Sequence, residues 1–112
     1  MDTISLPSRE MVLGDIKTIG VKNLRSASGA SLNGTVGQVD IYNSAGSAIL
    51  SAVPLAVTYD VPKTRAKASY QLVTGLTGLT STGTYRAVYM LTFPDGSIYS
   101  WEQDIIVKAR PF

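Results

Sequence analysis

Apolar and polar side chains alternate with a period of two wherever a stretch of this chain is long enough to test, as strands half-buried on a core require. From Tyr85 the odd positions read Tyr85, Ala87, Tyr89, Leu91 and Phe93, set against Arg86, Val88, Met90 and Thr92. Tyr99, Trp101, Ile105 and Val107 alternate in the same way with Ser100, Glu102, Asp104 and Lys108. Between the two runs lies Phe93-Pro94-Asp95-Gly96-Ser97. Asp-Gly supplies a positive φ and Pro cannot continue a ladder, so the pattern predicts a β-hairpin over about residues 84–108.

Upstream, Ile49, Val53, Leu55, Val57, Tyr59 and Val61 share one parity and predict an extended core-facing segment. Pro54 within it points to an edge strand or a bulge. Ala68, Tyr70 and Leu72 form another half-buried strand that ends at Gly75. Val39 and Ile41 centre a strand before the turn Asn43-Ser44-Ala45-Gly46, and residues 16–24 form a less regular one with Ile19 and Val21 inward. About seven strands at roughly ten-residue spacing, with no helical period, indicate an all-β sandwich. Residues 1–14 break the pattern: Ile4, Leu6, Met11, Val12 and Leu13 are apolar, but Pro7 and polar residues interrupt any steady period. They read as an N-terminal extended arm ahead of a domain over residues 15–112. Such an arm would dock on its own domain, on a neighbouring copy or on a larger assembly.

Composition narrows the functional classes. At 112 residues there is room for one core. With no Cys and no His, the usual zinc, copper and iron ligand sets and the Ser–His and Cys–His catalytic pairs cannot be built. Any sandwich is therefore held by packing alone, without an inter-sheet disulfide. The pI near 9.0 rests on 10 basic against 8 acidic residues spread along the chain. Only Lys63, Arg65 and Lys67 cluster, less than a nucleic-acid footprint needs. Residues 1–5 lack a basic start and a long apolar run, and the apolar stretch from Ala48 to Val57 falls short of a membrane span. The expectation is a soluble product made in the cytoplasm.

The candidate sites are few. Gly83-Thr84-Tyr85, opening a strand, resembles a tyrosine corner, in which the Tyr hydroxyl ties a loop to the sheet. Trp101 has core parity, as do most of Tyr42, Tyr59, Tyr70, Tyr89 and Tyr99; a sugar platform would need such rings exposed. Glu102 and Asp104 share an outward face beside Lys108, where they are solvated rather than set in the cleft a glycosidase pair needs. No D-x-D-x-D loop for calcium occurs. Gly75-Leu76-Thr77-Gly78 lacks the Lys and the spacing of a phosphate loop. No catalytic, cofactor or metal constellation is expected, and the chain reads as a non-enzyme. Val88, Met90, Ile98 and Ile106 oppose the core parity of the hairpin. They are either scattered surface aliphatics or a face covered by another chain or by the N-terminal arm.

Gly14-Asp15, then Val39-Asp40-Ile41-Tyr42-Asn43-Ser44-Ala45-Gly46, then Thr82-Gly83-Thr84-Tyr85-Arg86-Ala87 and Phe93-Pro94-Asp95-Gly96 set the turns. The pattern, over roughly residues 14–108, resembles the small immunoglobulin-like domains of tailed-bacteriophage structural proteins found in capsid decoration, neck and baseplate. It also occurs in bacterial surface and copper-resistance-type sandwiches, but the His or Met ligand sets of the copper type are not found. The resemblance implies an immunoglobulin-like antiparallel β-sandwich with an N-terminal arm. It implies a virion structural protein, a capsid decoration (cement) or neck or tail accessory, assembled in the host cytoplasm. The expected partners are other virion proteins, with further copies of the chain as an open option, and neither nucleic acid nor membrane. The expected interface is Ile4, Leu6, Met11, Val12 and Leu13 with Val88, Met90, Ile98 and Ile106. The alternative is a carbohydrate-binding or cell-surface adhesion module.

Overall fold

The computed structural model describes residues 3–25, 31–59, 65–73 and 81–109, with only the backbone of residues 3, 23 and 73. Eight strands run through them: β1 (Thr3–Val12), β2 (Ile16–Arg25), β3 (Val36–Tyr42), β4 (Ala48–Pro54), β5 (Ala56–Tyr59), β6 (Arg65–Val73), β7 (Gly83–Thr92) and β8 (Ile98–Lys108). They form a five-stranded sheet in the order β1-β8-β7-β3-β4 and a three-stranded sheet in the order β2-β6-β5. With β2, β6 and β5 facing β3, β7 and β8, the chain is an all-β, immunoglobulin-like sandwich.

The β7–β8 hairpin is the most regular part of the molecule. Its register runs without a shift from Gly83 opposite Val107 to Thr92 opposite Ile98. Alternation therefore holds throughout, and Tyr85, Ala87, Tyr89 and Leu91 are buried together with Trp101, Ile105 and Val107. The turn closes with the Phe93 N–H donating to the Ser97 carbonyl at 2.9 Å. Gly96 takes a φ of 89°, and the Asp95 carboxylate accepts from the Ser97 N–H at 2.8 Å. Hydrogen bonds from the Ser97 side chain and then from its backbone N–H hold the Asp95 pKa below its ordinary value.

The β3–β7 and β5–β6 ladders are also continuous, whereas β1, β2 and β4 are bulged, and the bulge inverts the inward parity along each of them. In β1, Leu6 pairs with Gln103 and Arg9 with Ile105, so Pro7 and Ser8 together stand opposite Asp104. In β2, Val21 pairs with Ala68 and Leu24 with Ala66. In β4, Val53 pairs with Val39 and Leu50 with Ile41, leaving Ser51 and Ala52 opposite Asp40. Ala52 there has a φ of 51°, and its N–H donates to the Asp40 carboxylate at 2.5 Å.

The core joins Val39, Ile41, Tyr89, Leu91 and Ile105 of one sheet to Ile19, Val21, Ala68 and Leu72 of the other, with Leu55 between them. Gly20 is required where the sheets are built. A side chain's first carbon there would lie 2.0 Å from the Ala68 carbonyl oxygen, closer than any packing adjustment could absorb.

One expectation is corrected and another is narrowed. The segment predicted over 49–61 is not one strand but two, β4 on the edge of the five-stranded sheet and β5 on the edge of the three-stranded one. The chain changes sheets at Leu55, just after Pro54, which has no N–H to extend the β4 ladder; Val61 lies outside the described residues. Residues 3–12, within the segment expected as an N-terminal arm, form β1, paired in parallel with β8, which is the docking on its own domain that was one of the arm's open alternatives. With the bulge counted, Ile4, Leu6, Arg9 and Met11 occupy one face, matched to Trp101, Gln103, Ile105 and Val107.

Candidate interaction surfaces

An interface needs side chains that the domain's own core does not use. β1 leaves few. Met11 is 1% exposed and belongs to the core, and Leu6 and Leu13 pack against it. While β1 stays docked, Met11 is taken up by the core, and Leu6 and Leu13 are partly covered by it. Ile4 is half-exposed and Val12 half-buried, the latter on the opposite face beside Lys108. The turn into β2 is closed by the Asp15 carboxylate, which accepts from the Val12 N–H at 3.0 Å, and by the Asp15 N–H donating to the Val12 carbonyl at 2.9 Å.

The outer face of the five-stranded sheet carries the remaining candidates, and the register shows how they are spread. Met90 stands between Gln38 and Ser100, and one row further Thr92 stands between Val36 and Ile98. Val36, Met90 and Ile98 are 62%, 39% and 42% exposed. Val88, half-buried, extends the patch along β7 between Asp40 and Glu102. Ile106 is not part of it. The row of Arg86 and Asp104, whose charged groups approach to 3.9 Å, separates Ile106 from Val88. Val36 is the member that sequence reasoning missed. Gly37 follows it and the strand was recognised only from Val39, but its place opposite Thr92 could have been read from the parity of β3.

Of the residues considered for chemistry, Tyr85 and Trp101 serve the fold. The Tyr85 hydroxyl donates to the Ser81 carbonyl at 2.8 Å, which is the tyrosine-corner bond. Trp101 is 9% exposed and serves the core; Tyr99 is the half-exposed aromatic beside it, edge-on to Phe93 at 5.6 Å between ring centres. Tyr89 is fully buried, and its hydroxyl donates to Gln103 Oε1 at 2.8 Å, while Gln103 Nε2 donates to the Pro7 carbonyl at 3.0 Å. Burial raises the Tyr89 pKa far above the ordinary value of 10.0, an effect the positive charge of Arg9 partly opposes. Asp104 is exposed beside Arg86, and Glu10 pairs with Lys108 at 3.1 Å on the surface. Such exposed pairs contribute little to stability. Lys63 and Gly75-Leu76-Thr77-Gly78 lie outside the described residues.

With this geometry in view, comparison with known proteins gives a fold and no family. No family model matches the sequence, and no curated protein matches it. Among solved structures the chain is similar to CopC from Methylosinus trichosporium OB3b, at 13% identity and a TM-score of 0.56 over 94% of this chain and 87% of that one. It is also similar to the first immunoglobulin domain of mouse SynCAM 2, at 12% identity and a TM-score of 0.45 over 94% of each chain. Murine CRIg matches at 16% identity and a TM-score of 0.44, over 92% of each chain. The likeness is one of fold. At these identities it carries no residue roles across.

Proposed function

We propose that this chain is a non-enzymatic structural domain that binds other proteins of a virion through the outer face of its five-stranded sheet. Within that class, the reading is a capsid decoration protein or a neck or tail accessory. The observation that carries the surface is the patch of Val36, Met90 and Ile98, all more than a third exposed, continued by Val88. Aliphatic side chains grouped on one sheet face and rimmed by Gln38, Asp40, Ser100 and Glu102 have the layout of an apolar contact with a polar border. The virion assignment rests on the resemblance of the turn pattern to phage structural domains.

The arm no longer supplies the contact in this reading. Met11, Leu6 and Leu13 hold β1 on the sandwich, so partner binding falls to the sheet face.

The test is co-expression with the proteins encoded beside this chain, followed by size-exclusion chromatography with light scattering. The expected result is co-elution with a capsid, neck or tail protein at defined stoichiometry. Elution as a free monomer in every pairing would overturn the proposal.

A further inference from the structure

A second surface lies away from the patch, in an open groove lined by both sheets. β1 contributes Arg9 and β8 contributes Gln103; Thr18 and Lys22 come from β2, and Lys67 and Ser69 from β6. Three cationic residues line the groove, and among the described residues no carboxylate does. Among the described residues the ion pairs are Arg86 with Asp104 and Lys108 with Glu10, so none of the three groove cations is neutralised by one. Like charges held together without counter-charges repel, and an anion entering the groove relieves that repulsion.

Two features make the groove more than a charged surface. The bulge after Val21 places Lys22 beside Lys67 on neighbouring strands. Gln103 is fixed as well, because its amide accepts from Tyr89 and donates to the Pro7 carbonyl. Arg9 lies close enough to Tyr89 for its charge to act on the phenol.

We infer that this groove binds the acidic groups of an anionic saccharide chain, carboxylate or sulfate. The hydroxyls of Thr18 and Ser69 stand among the cations as partners for sugar hydroxyls. Among the described residues no aromatic ring lines the groove, so they offer no stacking platform of the kind single-stranded nucleic acid uses. Its apolar lining is limited to Ile19 and Ala68, both buried, which leaves no pocket for the side-chain anchors of a peptide. This inference is independent of the sheet-face reading, and either can fail alone.

The test is isothermal titration of the full chain with a sulfated glycosaminoglycan hexasaccharide and with hexagalacturonate. Cellohexaose and hexaglutamate serve as neutral and peptide controls. Both acidic saccharides should bind at one site, and binding should weaken steeply as salt rises from about 0.05 M to about 0.5 M. Lys22→Gln with Lys67→Gln, both exposed positions, should weaken binding about ten-fold without altering the melting temperature. No binding of either acidic saccharide, equal binding of cellohexaose or hexaglutamate, or unchanged affinity of the double variant would each overturn the inference.

Discussion

The β7–β8 hairpin and β1 lie side by side in the same sheet, yet they are built on different terms. The hairpin keeps one register over its whole length and is closed by a turn whose hydrogen bonds are local. β1 pairs with β8 alone, in parallel, and slips past it at Pro7 and Ser8. The hairpin is thus specified by its own sequence, whereas β1 is specified by a surface already in place. Its inward residues complete a core that the rest of the chain presents.

The largest expected effects test whether that dependence makes β1 separable. Leu91 and Met11 are both buried, one in each region. If the sandwich unfolds as one unit, Leu91→Ala and Met11→Ala should each cost about 2–5 kcal/mol in urea unfolding. A loss at Met11 below about 1 kcal/mol, with the transition otherwise unchanged, would mean that β1 opens independently.

The same contrast explains what could be read in advance. The hairpin, its turn, the tyrosine corner and the burial of Trp101 were legible because alternation is unbroken there. β1 was not, because the bulge moves the inward set from even positions, Ile4 and Leu6, to odd ones, Arg9 and Met11. β4 and β5 merged into one predicted segment because Val53, Leu55 and Val57 keep one parity across the change of sheets. The outer patch was legible in Val88, Met90 and Ile98. Ile106 shares their parity but not their neighbourhood, since parity fixes a face and not a distance along it. The basic groove was invisible, because its lining comes from four strands scattered through the chain.

The next effect concerns the bond that links the two regions, from Tyr89 through Gln103 to Pro7. The folded-state pKa of Tyr89 is raised, so the unfolded chain loses that proton first as pH rises. The associated stability is complete below about pH 10 and declines above it, by at most about 1.4 kcal/mol per pH unit. Comparing alkaline unfolding of Tyr89→Phe with the parent should show that decline flattened in the variant. Identical slopes would place the alkaline sensitivity elsewhere.

Within the hairpin, Tyr85→Phe removes the bond to the Ser81 carbonyl and should cost about 1 kcal/mol in thermal unfolding. An unchanged melting curve would leave the corner without energetic weight. The smallest effect has the opposite sign and belongs to the bulged edge. Ala52 occupies a left-handed φ of 51°, so Ala52→Gly should raise stability by about 0.5 kcal/mol once the greater freedom of the unfolded chain is subtracted. Destabilisation by that substitution would show that the Ala52 methyl does more for the bulge than its backbone strain costs.

The division of labour between a β1 spent on the fold and a sheet face left free is tested most directly by a paired charge substitution. Met90→Glu with Ile98→Glu places two carboxylates in the exposed patch without touching the core. Binding to the co-eluting partner, measured by titration, should fall about 100-fold or more while the melting temperature stays within a few degrees of the parent. Undiminished binding by the folded double variant would contradict the account.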